Sequence, residues 1–178
     1  MATQIVLLRG INLGSRNRIA MPALREALAD AGFEDVRTYV QSGNVVLSSE
    51  LKPAQTEGRV ERVIQEKFGL EIAVVARTRA ELARVVKANP LADVAVEPKR
   101  YQVSFLAKKL DGDVRRKLEA AAVGAERVVF KGREIYAWHP AGVARSKLWA
   151  ALAGNLGVAA TARNWTTVTT LLAMADDT

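Results

Sequence analysis

The 178-residue sequence contains no cysteine and a single histidine. Without thiols the chain has neither a disulfide framework nor a cysteine nucleophile, and without acids near its motifs a metal centre is not expected. No apolar stretch approaches the roughly 20 residues of a membrane-spanning helix. The first apolar run also lacks the basic segment that precedes the core of a signal peptide. We therefore expect a cytoplasmic protein that needs no cofactor, no metal and no membrane.

Acidic residues are absent from two windows of the chain. Residues 1–25 contain four arginines and no acid, and residues 135–175 contain Arg145, Lys147 and Arg163, again without an acid. The formal net charge is +7, which favours anionic partners such as phosphate esters, nucleotides or nucleic acid. The alternative is an arginine- and alanine-rich background composition without functional content.

Hydrophobic periodicity and glycine and proline positions predict a strand, a helix, a hairpin, a helix and a strand in the first half. These elements are, in order, Gln4–Ile11, a helix from Pro22 to Ala31, Val36–Gln41, Asn44–Ser48, a helix from Pro53 to Phe68, and Glu71–Ala76. This β-α-β-β-α-β order is that of the ferredoxin-like unit.

The same order of elements recurs in the second half, after a capped helix at Arg79–Ala88 and a connection over residues 90–99. Its elements are Tyr101–Ala107, a helix through Val114 to Ala122, Arg127–Phe130, Glu134–His139, a helix at Ala144–Ala153, Ala159–Ala162, and a last helix capped by Asn164. We expect an α+β protein of two ferredoxin-like subdomains with antiparallel sheets, residues 1–88 and 99–178, the second with an appended C-terminal helix.

The loop after the first strand is the most unusual stretch. Residues 9–18 hold two glycines, two asparagines, a serine and three arginines. Such a loop turns sharply and brings backbone N–H groups and fixed positive charge to a ligand. The simpler alternative is that a strand needs an exit, which glycine and asparagine provide.

The topology places the motifs at the ends of the sheets. In this unit the first and second strands run parallel with the antiparallel third strand between them, so the loops that follow these two strands lie at the same end of the sheet. The candidate ligand-binding residues of the first half are Arg9, Asn12, Ser15, Asn17, Gln41, Ser42 and Asn44, and those of the second half are Arg145, Ser146, Lys147, Arg163, Asn164 and Trp165. Turn formation, helix capping and ring packing are the competing roles of these side chains. Whether the two clusters share one cleft is left open.

The motifs also carry a resemblance to a known family. They are Leu7-Leu-Arg-Gly-Ile-Asn12 with Met21-Pro22, Thr38-Tyr-Val-Gln-Ser-Gly-Asn44, Arg145-Ser-Lys147, and Thr161-Ala-Arg-Asn-Trp165. In combination they resemble the bacterial family called domain of unknown function 1697. The resemblance implies two ferredoxin-like subdomains, and it implies no established activity and no catalytic residues. At residues 13–18 the sequence reads Leu-Gly-Ser-Arg-Asn-Arg, where the family more often has Gly-Gly and Lys.

Nucleophilic catalysis lacks a complete set of residues in the sequence. A Ser-His-acid triad would need His139 beside Ser146 together with an acid, and no acid lies close to them along the chain. A distant acid such as Asp35 or Glu71 could be brought in by folding. His139 could also carry a proton alone or simply end a strand. The sequence makes no prediction about whether the protein is an enzyme.

We therefore predict binding of a phosphorylated small molecule or nucleotide at a basic site poor in carboxylates. A second hypothesis is a nucleic-acid-binding accessory protein that uses both basic windows along a phosphate backbone, weakly and without sequence preference. Readout like that of RNA-recognition modules is disfavoured, because the first and third strands lack their stacking aromatics. A third is an interaction module without chemistry. The ligand and the oligomeric state are not predicted.

Overall fold

The computed structural model describes residues 1–177 and has an α+β architecture with two antiparallel four-stranded sheets and six helices. The first seven elements are β1 (Ala2–Leu8), α1 (Met21–Asp30), β2 (Glu34–Tyr39), β3 (Asn44–Ser49), α2 (Pro53–Phe68), β4 (Val74–Thr78) and α3 (Arg79–Ala88). After a short 3₁₀ helix at Pro98–Arg100, the other elements are β5 (Tyr101–Leu106), α4 (Gly112–Ala121), β6 (Arg127–Lys131), β7 (Glu134–Trp138), α5 (Lys147–Leu152), β8 (Ala160–Asn164) and α6 (Trp165–Asp176).

The first sheet has the strand order β2-β3-β1-β4. Its two central strands are buried along most of their length, and each contains an apolar run, Ile5–Leu8 in β1 and Val45–Leu47 in β3. On one face, Val6 and Leu8 pack in a single core cluster with Leu24 and Leu28 of α1 and Ile64 of α2. The amphipathic helices α1 and α2 therefore cover this face of the sheet.

The second sheet repeats this order as β6-β7-β5-β8. Leu106, Ile135 and Ala137 lie in a core cluster with Leu118 of α4 and Leu148 of α5. The fold class predicted from the sequence, two ferredoxin-like subdomains with antiparallel sheets and a C-terminal helix, is thereby confirmed.

The chain divides into two compact units. The first unit comprises Met1–Arg84 together with the chain from Thr170 onward, and the second comprises Val85–Thr169. These bounds differ from those of the predicted domains in that the division falls within α3 and the end of α6 belongs to the first unit. The domain assignment 1–88 and 99–178 itself stays a prediction.

Several predicted elements have different ends in the structure. The strand predicted at Val36–Gln41 runs from Glu34 to Tyr39, and the strand predicted at Ala159–Ala162 runs from Ala160 to Asn164. The first strand ends at Leu8 rather than residue 11, because Gly10 has a φ of 67° that breaks the extended backbone. The fourth strand is shifted toward Thr78, because Arg77 pairs with Ile5 and extends the ladder despite its charge. The helix predicted at residues 144–153 begins only at Lys147, because Ser146 is its N-cap, with an extended backbone and a side chain that accepts from Trp149 N.

None of the helices within residues 1–177 is both long and apolar enough to cross a membrane.

Candidate functional site

Residues 9–18, which we call the arginine lobe, form a small closed hairpin after β1. Asn12 N donates to Asn17 O over 3.0 Å, and Arg16 N donates to Leu13 O over 3.2 Å. Leu13 and Arg16 form an isolated antiparallel bridge. The lobe is therefore a folded loop with its own backbone hydrogen bonds.

The alternation of glycine and asparagine in the lobe has a backbone cause. Gly10, Asn12, Gly14 and Asn17 all have positive φ angles, of 67°, 54°, 60° and 49°. Glycine adopts this left-handed region without a steric penalty, and asparagine tolerates it better than most other residues. The two asparagines and two glycines are thus required for the shape of the loop.

The amide side chains of the lobe bond to backbone groups within the lobe and next to it. Asn12 accepts from Ile19 N over 2.8 Å and donates to Ile19 O over 2.9 Å. Asn12 Nδ2 also lies 2.7 Å from Gln41 O, and Asn17 Nδ2 donates to Gly10 O over 3.1 Å. Asn12 and Asn17, both predicted to bind a ligand, therefore fix the loop.

The turn between β2 and β3 lies against the arginine lobe, as the topology predicted, because Asn12 bonds to Gln41. Asn44 is buried and donates to Tyr39 O over 3.1 Å and to Ser42 Oγ over 3.0 Å. A side chain at Gly43 would place its Cβ 2.7 Å from Leu8 Cβ, so only glycine fits there. Asn44 thus shapes the turn, which is the alternative role that the sequence left open.

The turn also contains a strained residue. Val40 has a φ of 51°, a conformation that is rare for a β-branched side chain, and its side chain is exposed. Such outliers persist only where the surrounding structure holds them, and they cluster at functional sites.

The charged and hydroxyl side chains of the lobe remain at the surface. Ser15, Arg16 and Arg18 are exposed, and Arg9 is half-buried. Arg18 Nη1 donates to Gly14 O over 2.9 Å, so its guanidinium lies across the tip of the lobe. Leu13 is also exposed, by 66%. The lobe combines a backbone fixed by amides with an exposed cationic surface.

In the second unit the predicted residues separate into exposed cations and structural groups. Arg145 and Lys147 are exposed. Ser146 Oγ caps α5 by accepting from Trp149 N over 3.0 Å. Asn164 caps α6 by accepting from Thr167 N over 2.9 Å.

Trp165 stacks on Tyr101 with ring centroids 4.8 Å apart and an angle of 22° between the planes. The alternative roles, capping and ring packing, are therefore observed for Ser146, Asn164 and Trp165.

Arg163 is 8% exposed and bonds to its own strand. Its Nη1 donates to Thr161 Oγ1 over 2.6 Å and to Ala162 O over 2.8 Å. Burial lowers the pKa of its guanidinium to about 10. Arg77 occupies the corresponding position of β4, is 1% exposed, and donates to Ala76 O over 3.0 Å. The repeated buried arginine is a feature of both units.

His139 has an acidic neighbour that the sequence analysis missed. Its Nδ1 lies 3.1 Å from Glu126 Oε2 and 3.0 Å from Ser146 Oγ, and Ser146 Oγ donates to Glu126 over 2.5 Å. Asp35 and Glu71 are the distant acids that the sequence suggested folding could bring in, and the acid that contacts His139 is Glu126 instead. The hairpin predicted around Lys131-Gly132 contained the signal, because its register sets residue 126 opposite residue 139.

This cluster does not have the geometry of a catalytic triad. In a triad the acid and the serine contact different ring nitrogens, whereas here both contact Nδ1. His139 is fully buried, and its Nε2 has no hydrogen-bond partner among residues 1–177. Burial lowers the pKa of His139, against the opposing effect of Glu126. The cluster therefore joins the start of β6, the end of β7 and the cap of α5.

Glu126 is held in its ionised form by its neighbours. Burial acts to raise its pKa, but hydrogen bonds from Ser146, His139 and the backbone N–H of Val123 outweigh this effect and lower the pKa. Within residues 1–177, no three His, Asp or Glu side chains gather in a way that could hold a metal ion.

Comparison with known proteins gives the family and the fold. The model of the family described as "Protein of unknown function (DUF1697)" matches residues 1–136. The chain belongs to this family. A solved structure, that of conserved bacterial protein SP0830 from Streptococcus pneumoniae, is similar over 98% of both chains, with 21% identity and a TM-score of 0.75. At this identity the similarity shows the fold alone. None of the curated proteins matches the sequence.

Proposed function

We propose that the arginine lobe binds a phosphorylated small molecule or nucleotide in the cytoplasm. The observation that carries the proposal is a loop fixed by its own amides that presents Arg16 and Arg18 at the surface beside Ser15. Guanidinium groups bind phosphate through paired N–H donors. A loop that is already ordered loses little conformational entropy on binding.

The charge distribution supports an anionic ligand. Residues 1–25 contain no acid, so no carboxylate within the lobe competes for its guanidinium groups. Arg16 makes no ion pair with any residue in the described part of the chain. Close like charges repel, and a bound anion removes this cost.

Two exposed apolar side chains, one in the lobe and one next to it, favour a nucleotide over inorganic phosphate. Leu13 and Val40 are 66% and 53% exposed, and each adjoins one of the residues joined by the Asn12–Gln41 hydrogen bond. A base or another apolar group of the ligand would cover them while the arginines contact its phosphates.

The test is calorimetry and thermal unfolding with ATP, inorganic phosphate and chloride at matched ionic strength. ATP is expected to raise the melting temperature most, because binding to the folded state alone stabilises it by mass action. Arg16→Ala with Arg18→Ala should abolish this shift. Arg62→Ala, which removes an exposed arginine from α2, is the matched control and should leave it unchanged. Equal stabilisation by chloride would contradict the proposal.

Salt dependence separates this function from nucleic-acid binding. A protein that follows a DNA backbone loses affinity steeply with salt, with a log–log slope of about −0.9 per phosphate neutralised. We expect weak binding of DNA, independent of its sequence, that disappears near physiological salt. Tight DNA binding that persists there would replace the small-ligand proposal.

A further inference from the structure

The outer edge of β4 is covered by glutamate side chains. Ala76 N donates to Glu57 over 2.7 Å, Val74 N donates to Glu61 over 3.1 Å, and both acceptors lie on α2. The next outward amide, at the end of the strand, donates to the glutamate of the α3 capping box. Every second N–H of this edge strand therefore bonds to a carboxylate.

The corresponding edge in the second unit lacks such acceptors. Ala107 N donates to Ala159 O over 2.8 Å, and this ladder continues through alternate residues of β8. By the alternation of a strand, the amides of Ala160, Ala162 and Asn164 point away from the sheet. In residues 1–177 these three amides have no hydrogen-bond acceptor. We call these three amides the β8 edge.

The difference arises from helix length and charge. The two covering glutamates are the fifth and ninth residues of the 16-residue α2, whereas α5 has only six residues and contains no acid. Ala76 is 0% exposed beneath α2, whereas Ala162 at the corresponding position is partly exposed. The part of the helix that carries the carboxylates in the first unit is missing in the second.

Edge strands attract other chains unless a device protects them. A register shift between Glu34 and Arg37 interrupts β2, and exposed Arg127 and Lys131 flank β6. The β8 edge has no such bulge, and all of its strand's charge lies in the buried Arg163.

We propose that the β8 edge docks an acidic helix of a partner protein, which supplies carboxylates four residues apart. The first unit contains the template, because Glu57 and Glu61 have this spacing and satisfy the same set of amides. Charge complements the assignment, since the acid-free residues 135–175 include the whole of β8 and carry the exposed Arg145 and Lys147 at the start of α5.

The direct test is an amide NMR titration of the full chain with a synthetic helical peptide that carries two glutamates four residues apart. The amides of Ala160, Ala162 and Asn164 should shift, and those of Val74 and Ala76 should not, because their acceptors are already in place. The same peptide with glutamines should bind at least tenfold more weakly. Equal binding of the glutamine peptide, or equal binding of an extended acidic peptide, would overturn the proposal.

Substitutions at Ala162 and Lys147 test whether binding uses the β8 edge. Ala162→Pro removes one outward N–H without removing a ladder bond, and it should abolish peptide binding, whereas Ala162→Gly keeps the N–H and should retain it. Lys147→Glu reverses a charge outside the sheet and should weaken binding by at least tenfold, which tests the proposal even if the proline variant unfolds. Undiminished binding to Lys147→Glu would overturn it. Arg16→Ala with Arg18→Ala should leave the peptide affinity unchanged, so the two proposals fail independently.

Discussion

The two units repeat one architecture and differ in what surrounds it. Both sheets have the same strand order, and both carry a buried arginine on the last strand that donates to the preceding carbonyl. The units differ in the loop after the first strand, in the length of the second helix, and in whether carboxylates cover the outer edge of the sheet. The repeated features belong to the architecture, and the chemistry that distinguishes the chain lies where the units differ.

The largest expected effect tests the repeated arginine. Arg77→Ala and Arg163→Ala should each reduce the free energy of unfolding by about 3 kcal/mol, because each leaves a cavity and removes a donor from a carbonyl. Urea unfolding measures both losses. The exposed Arg62→Ala should cost less than about 0.5 kcal/mol. A large loss at only one of the two buried sites would show that the arginines are not equivalent.

The covered edge of β4 gives the next largest effect. Glu57→Ala should destabilise the protein by about 2 kcal/mol, because the buried N–H of Ala76 loses its acceptor. Glu57→Gln keeps a carbonyl acceptor and should cost less. Hydrogen exchange provides the comparison between units, since the Ala76 amide should become faster only in the alanine variant while the Ala162 amide is fast already. Slow exchange at Ala162 in the unmodified protein would contradict an open β8 edge.

The helix caps that follow β4 and β8 should be equal in strength. Thr78 Oγ1 accepts from Glu81 N over 3.0 Å, and Asn164 Oδ1 accepts from Thr167 N over 2.9 Å. Thr78→Ala and Asn164→Ala should therefore each cost about 1 kcal/mol in thermal or urea unfolding. Unchanged stability of Asn164→Ala together with loss of nucleotide binding would instead assign Asn164 to the ligand.

The smallest effect concerns the buried cluster that only the second unit contains. Because the pKa of His139 is lowered by burial, the unfolded chain takes up a proton first, and stability should fall as the pH drops below about 6.5. The lowered pKa of Glu126 adds a second loss below about pH 4.3. Above about pH 7.5 neither group should change stability.

An NMR titration of the single histidine checks this prediction. Glu126→Gln removes the partner that raises the pKa of His139, so the pKa should fall further in that variant. A pKa of His139 at or above its ordinary value would contradict the role of burial.

The sequence predicted the fold well because the apolar runs and turn residues that define the two sheets act locally. The roles of individual polar residues were harder to predict. Asn12 and Asn44 were candidates for a ligand, yet their amides bind backbone carbonyls, and only three-dimensional contacts reveal which acceptor an amide uses. Whether Arg9, Ser15 or Arg145 binds a ligand stays a prediction.

The sequence also did not predict that the outer edge of β4 is covered by carboxylates while that of β8 is not. In the sequence, Glu57 and Glu61 look like part of an ordinary solvent-exposed helix face. Their role as hydrogen-bond acceptors for the amides of β4 depends on how α2 lies along that strand. The partner of His139 was within reach, since the register of the predicted hairpin identifies Glu126.

The division of the chain has a consequence for its synthesis. The first unit includes residues from Thr170 onward, where Arg37 Nη1 donates to Met174 O over 2.8 Å and Arg79 Nε bonds to Asp176 over 2.6 Å. A ribosome makes those residues only after the whole of the second unit. Because domains fold as they emerge, the second unit can be complete while the first still lacks its final segment. The half of the protein that is translated first is therefore the last to be finished.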